Sequence, residues 1–171
     1  MDPVSTEEAI SFFPASDIIY IWPAHNQLTI YTGGVLHADT KYDVIIDSKA
    51  KDKDGVEMGS PFHFAFETAS VNLTSTSPRN GELFVSEYGP VYLYFNTYMQ
   101  KSTVQSALSI SPDISGTLNW HNNSKTILVF NPNQNFKKNT KYTVTIGTGA
   151  MDLYGFALKE PYTFSFVTRP E

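Results

Sequence analysis

Strict alternation of apolar and polar residues marks several short stretches of the chain. In YTVTI, Tyr142, Val144 and Ile146 fall on one side and Thr143 and Thr145 on the other. In YTFSF, Tyr162, Phe164 and Phe166 fall on one side and Thr163 and Ser165 on the other. A period of two is the signature of a strand with one buried face, so both stretches predict strands whose large side chains point inward. Further strands are predicted over residues 71–75, 91–96, 107–111, 116–120 and 126–131, separated by the turn-forming clusters SPRNG, SPDISG, HNNS, NPNQN and DLYG. The stretch MQKSTVQSA, from Met99 to Ala107, breaks the alternation and predicts a short helical turn. About seven strands at this spacing predict an antiparallel Ig-like β-sandwich, an all-β fold.

The pattern is written twice. TKYTVTIG, from Thr140 to Gly147, repeats TKYDVIID, from Thr40 to Asp47, one hundred positions later. The same offset joins Ala50 to Ala150, Asp52 to Asp152, Gly55 to Gly155, Pro61 to Pro161, Phe64 to Phe164, Phe66 to Phe166 and Thr68 to Thr168. Upstream the offset is two positions shorter and joins Met1 to Met99, Ala9 to Ala107, Pro14 to Pro112 and Trp22 to Trp120. One register held over so many Trp, Gly, Pro and aromatic positions reads as a tandem duplication. Two units are expected, 1–68 and 69–171, with about five strands in the first. The first begins at the counterpart of Met99 and has nothing to match residues 69–98. Met1 therefore reads as an internal methionine of a longer protein. Tyr142, and Tyr42 in the first unit, open the penultimate strand where a sandwich often bonds a tyrosine hydroxyl back to the preceding loop. Trp22 and Trp120 fall on mid-unit strands and are expected in the core.

An ordered set of motifs accompanies the strands. It comprises an opening SPxxG (Ser77–Gly81), a strand ending Phe95–Asn96, a Met-led turn (Met99–Thr103, Met1–Ser5) and a TxYxVxI strand (Thr140–Ile146, Thr40–Ile46). An Asp-x-x-Gly loop (Asp152–Gly155, Asp52–Gly55) and a closing aromatic strand ending in Thr (Tyr162–Thr168, Phe62–Thr68) complete it. The set resembles the bacterial Ig-like domain of the S-layer type, present in two tandem copies of which the first is truncated at its N-terminus. Val56 and Phe156 follow the loop glycines where the family pattern has Asn. The resemblance implies a non-enzymatic structural or spacer module of a large bacterial cell-surface or secreted protein, extracellular in location. Its partners would be the neighbouring domains of that protein.

Composition narrows the alternatives. With aromatics at 14% and hydrophobic residues at 41%, a packed core is within reach and disorder is not expected. The net charge is −5 and no Lys/Arg block occurs, so the electrostatic footprint of nucleic-acid binding is missing. No apolar run approaches a membrane span. The chain has no cysteine, which removes disulfides and thiolate metal sites. The stretch after Met1, DPVSTEEAISFF, has neither the basic region nor the apolar core of a signal peptide.

Candidate chemistry is sparse. Asp52, Asp54 and Glu57 surround a Gly turn and resemble part of a calcium loop. A plain β-turn competes, because the twelfth position from Asp52 is His63 rather than an acid and the duplicate loop keeps only Asp152. His25, His37, His63 and His121 lack metal-ligand spacing and read as surface residues. Tyr92 and Tyr94 alternate with Val91, Leu93 and Phe95 and are expected on an outer face. There they would either stack on a sugar or a protein partner, or serve as cross-strand tyrosines. Asn72 and Asn122 open glycosylation-type triplets by pattern alone. No nucleophile elbow or His/Asp/Ser set is seen, so no catalytic residue and no cofactor is expected. The alternative function is a glycan- or protein-binding adhesion module, or an accessory domain of a secreted carbohydrate-active enzyme. A first unit without the strands of 69–98 leaves open edges, and open edges recruit partners. Self-association into a homo-dimer through that unit is expected.

Overall fold

The structure, a computed structural model, describes residues 1–32 and 36–170. The chain divides into two units, Met1–Ala69 and a second that begins at Ser70.

Unit 1 opens with a short helix, α1 (Pro3–Glu8), whose first turn is capped by the Asp2 carboxylate accepting from the Ser5 amide at 2.8 Å. Strands β1 (Ile10–Phe13), β2 (Ile18–Ala24), β3 (Gln27–Thr32), β4 (Lys41–Ile46) and β5 (Phe62–Glu67) follow. They form a three-stranded sheet in the order β1-β4-β5 and a two-stranded sheet β2-β3, both antiparallel.

Unit 2 contains β6 (Leu73–Ser77), β7 (Glu82–Val85), β8 (Val91–Phe95), α2 (Lys101–Ala107), β9 (Leu108–Ser111), β10 (Gly116–Trp120), β11 (Ile127–Pro132), β12 (Lys141–Ile146) and β13 (Tyr162–Thr168). These build the two sheets of an all-β Ig-like sandwich, β10-β11-β8-β6 and β7-β13-β12-β9. The alternation seen in the sequence becomes burial here. Val91, Leu93, Phe95, Leu118, Leu128 and Phe130 line the inner face of the first sheet. Tyr142, Val144, Ile146, Phe164 and Phe166 line that of the second, and all are buried. Each such side chain contributes about 1.5–3 kcal/mol by leaving water. Gly116 opens β10 where no side chain fits: a Cβ there would lie 2.4 Å from the Phe130 ring and 2.5 Å from the Asn131 carbonyl oxygen.

Among the described residues unit 2 has eight strands, against the seven the pattern predicts. The extra one, β7, is four residues long and pairs in parallel with β13, Glu82 opposite Phe166. Its alternation is too short to announce it, and the Asn80 side chain docks it by accepting from the Ser165 amide at 3.0 Å. The expectation for the tryptophans is corrected. Neither Trp22 nor Trp120 is in the core; both are half-buried, Trp22 on β2 of the two-stranded sheet and Trp120 at the end of β10, an edge strand with one neighbour. The Trp22 indole N–H donates to Glu7 Oε1 at 2.8 Å.

Both units place the same polar ties at corresponding positions. The Tyr142 hydroxyl accepts from the Lys137 amide at 3.0 Å, and the Tyr42 hydroxyl from the His37 amide at 2.9 Å. Thr103 Oγ1 accepts from the Met151 amide at 2.9 Å, and Ser5 Oγ from the Lys51 amide at 3.1 Å. The Thr140 and Thr40 amides donate to Thr168 and Thr68 Oγ1 at 2.9 and 3.0 Å.

Candidate functional site

The aromatic residues of β8 form the most site-like surface of unit 2. Because β8 pairs with β11 on one side and β6 on the other, Tyr92 and Tyr94 stand in mid-sheet, opposite Val129 and Ile127 and beside Ser77 and Ser75. Their rings stack at 6.3 Å between centroids and 20° between planes. The ring of His121, carried in just past the end of β10, meets Tyr92 edge-on at 5.4 Å and 81°. Tyr92 and Tyr94 are half-buried rather than fully exposed, and Val129 on the same face is covered. The rings thus roof their own sheet and present only part of their faces. Beside Tyr94 lies a hollow lined by Ser75, Ser77, Arg79, Asn80 and Glu82. Two of its polar groups are already engaged: Asn80 Oδ1 by the Ser165 amide and Glu82 Oε2 by the Arg79 amide at 2.7 Å. Sequence reasoning named the two tyrosines and read His121 as a surface residue but did not join them, because β11 lies between β10 and β8 and only the sheet order brings the rings together.

The Asp52 loop is built as a turn. Asp52 Oδ1 accepts from the amides of Asp54 and Val56 at 2.8 and 2.9 Å, and these bonds hold its carboxyl below the usual aspartate range. Asp54 pairs with Lys53 at 3.0 Å and Glu57 with Lys51 at 3.9 Å. The three carboxylates are therefore each turned to a different neighbour and do not converge on a shared cation position. The duplicate loop repeats the turn, with Asp152 Oδ1 accepting from the amides of Tyr154 and Phe156 at 2.9 and 2.8 Å. His63 contacts Asp43 at 3.2 Å, across the ladder from β5 to β4. Among the described residues no group of three or more His, Asp or Glu side chains is placed to hold a metal ion.

One charged contact was invisible in the sequence. Glu87, almost fully buried after β7, accepts from Arg169 Nε at 2.7 Å, and this bond above all pulls its carboxyl down to about 2. The Arg169 guanidinium also lies over the Tyr88 ring, 5.9 Å from its centroid. The Glu87 carbonyl accepts from Phe136, whose ring packs edge-on against Tyr142 at 4.7 Å and Phe166 at 5.4 Å. The pair thus fastens the β7–β8 connection to the segment after β13 and to the tyrosine corner. It does the work of a clasp.

Unit 1 differs in what it leaves uncovered. Phe64 is 41% exposed where Phe164 is 1%, and Phe62 is 54% exposed. Leu28 and Ile30 of β3 are half-exposed where Leu128 and Phe130 are buried. On the other face of the β2-β3 hairpin, Ile19, Ile21 and Tyr31 are exposed as well. Among the described residues no helix is long and apolar enough to cross a membrane.

Residues 67–168 match the family model of the bacterial Ig-like domain. Similar solved structures include an L,D-transpeptidase from Mycobacterium smegmatis, 16% identical with a TM-score of 0.46 over 59% of this chain and 41% of that one. Another is an L,D-transpeptidase from Mycobacterium tuberculosis H37Rv, 15% identical with a TM-score of 0.41 over 58% of this chain and 40% of that one. A third, an LD transpeptidase in complex with imipenem, is 22% identical with a TM-score of 0.43 over 58% of this chain and 39% of that one. The chain spans about two fifths of the length of these structures. No curated protein sequence matches it.

Proposed function

This chain belongs to the bacterial Ig-like domain family, and we propose that it serves as a non-enzymatic structural module of a large bacterial cell-surface or secreted protein. In this reading it is of the S-layer type, and its two units are tandem copies of one domain. It works outside the cell as a stiff spacer between neighbouring domains.

The observation that carries the reading is where the polar groups of the shared motifs point. Asp152, Tyr142, Thr168 and Thr103 each bond backbone of their own unit, and Asp52, Tyr42, Thr68 and Ser5 make the same bonds in unit 1. Groups used this way fix loops to strands, which is what a load-bearing or spacing bead requires. Family membership alone would not supply a role, since folds host many functions.

A second reading, a glycan- or protein-binding adhesion module, draws on the stacked Tyr92–Tyr94 pair beside its polar hollow. Cosedimentation of the full chain with insoluble cell-wall polysaccharide and peptidoglycan separates the two. The spacer reading expects the chain to stay in the supernatant. Pelleting that is lost in the Tyr92→Ala, Tyr94→Ala double variant would overturn it in favour of adhesion.

A further inference from the structure

We propose that unit 2 carries a membrane-surface contact: an apolar tip of Tyr98, Met151, Leu153 and Tyr154, bordered by Lys101 and Lys125, that dips into the interface of an anionic lipid bilayer.

The tip is built on a short ladder outside the two main sheets. Met99 pairs with Asp152 antiparallel, and both side chains are buried. Neighbours along an extended segment point to opposite faces, so Tyr98 on one side and Met151 and Leu153 on the other are turned outward together. The Leu153 amide donates to the Tyr98 carbonyl at 2.7 Å and the Gln100 amide to the Met151 carbonyl at 2.9 Å, which sets these residues side by side. Tyr154 follows in the turn that the Gly155 amide closes on the Asp152 carbonyl at 3.2 Å. The four side chains are between 37% and 51% exposed. The scaffold beneath them is fixed. Asp152 Oδ1 holds the Tyr154 and Phe156 amides, and Thr103 Oγ1 holds the Met151 amide. Little ordering cost is left for binding.

The turn does not need apolar side chains. Unit 1 closes the same turn with Lys51, Lys53 and Asp54 at the positions of Met151, Leu153 and Tyr154. Lys51 pairs with Glu57 as Met151 pairs with Ala157, and the Asp52 amide donates to the Val56 carbonyl at 2.9 Å as the Asp152 amide does to Phe156. Four neighbouring apolar side chains that the backbone does not require, held in water on a rigid turn, form an interaction surface.

Charge selects the partner. Lys101 follows Gln100 directly, and the Met99 amide donates to the Lys125 carbonyl at 2.9 Å, so both lysines border the tip. Among the described residues neither is in an ion pair. Asp152, the acid within the turn, is buried, and Glu160 further along the same connection has Lys159 next to it. Residues 70–171 hold eight Lys and Arg against six Asp and Glu, whereas residues 1–69 hold four against eleven. The tip therefore belongs to the cationic unit. A soluble polyanion would engage the lysines and leave the apolar residues in water. An anionic bilayer uses both, with tyrosine rings at the headgroup level, Leu and Met below them and lysines on the phosphates.

A patch of this size holds weakly and reversibly, below the roughly 10⁴ M⁻¹ of one myristoyl chain, so the full chain is sedimented with vesicles at millimolar lipid. The expected result is pelleting with phosphatidylglycerol vesicles and not with phosphatidylcholine vesicles, with the amides of 151–156 gaining protection from hydrogen exchange. Leu153→Ser with Tyr154→Ser should weaken partitioning at least about tenfold, and Lys101→Gln with Lys125→Gln by a similar factor. Both double variants should keep the melting temperature of the parent, since unit 1 shows that polar side chains suit this turn. Three outcomes overturn the proposal: no pelleting with phosphatidylglycerol, pelleting that the two serines leave unchanged, or protection of 151–156 by soluble polyphosphate alone. The second would place the contact elsewhere on the chain, and the third would make a polyanion the occupant.

Discussion

The Glu87 carboxylate accepts a hydrogen bond from Arg169 Nε at 2.7 Å, joining the connection after β7 to the residue that follows β13. Its carboxyl is held at about 2, against an ordinary value of 4.5. A lowered folded-state value favours the folded state above the unfolded value, and the contribution is lost as the pH falls through the folded one. The melting temperature of the chain should therefore exceed that of Glu87→Gln at pH 7. The gap should shrink between about pH 4.5 and about pH 2 and close below it. Paired thermal melts across that range check this; a gap that persists unchanged at pH 2 would remove the ion pair as its cause.

Tyr142→Phe removes the acceptor for the Lys137 amide and keeps the ring stacked on Phe166, whose centroid lies 5.7 Å away. Lys137 is exposed, so water can reach the freed amide and the loss is that of one ordinary hydrogen bond, about 0.5–1.5 kcal/mol. Urea denaturation should show that loss with an unchanged slope, because the core and the surface exposed on unfolding stay the same.

At Gly116 the added methyl of Gly116→Ala meets the Phe130 ring and the Asn131 carbonyl oxygen. Overpacking of this kind costs about 1–3 kcal/mol. Because Phe130 lies between β10 and β8, the loss should appear in hydrogen exchange as weaker protection of 127–132 before that of 162–168.

Asp152 is buried and holds two amides, whereas Asp52 makes the same bonds in a half-exposed loop. Asp152→Ala should cost about 1–3 kcal/mol by leaving Tyr154 and Phe156 without an acceptor. Asp52→Ala should cost less, since water can replace the carboxylate there. Denaturant titration of the two variants gives the comparison directly.

Calcium should leave the melting temperature where it is, because Asp52, Asp54 and Glu57 each face a different partner. A cation at about 100 times its dissociation constant would add roughly 2.7 kcal/mol. An upward shift that disappears in Asp54→Ala would establish a calcium site in this loop.

The sequence by itself determined what short-range periodicity can encode. The alternation in YTVTI and YTFSF put Tyr142, Val144, Phe164 and Phe166 in the core, since a strand turned by one residue would expose all of them. The position of Tyr142 at the head of its strand marked the corner, and the Asp-x-x-Gly spacing marked a turn that the Asp152 side chain closes two and four residues on. The tertiary structure alone decided which strands lie side by side. The parallel pairing of β7 with β13 and the meeting of Glu87 with Arg169 join residues some eighty positions apart. The contact of His121 with Tyr92 depends on β11 lying between β10 and β8. Trp120 looked like core by residue type and strand, yet it ends an edge strand and is only half-buried. Phe64 carries the same letter and the same alternation as Phe164, yet it is exposed where Phe164 is buried. A residue's own pattern sets the face on which it stands; what lies over that face depends on contacts contributed from elsewhere in the chain.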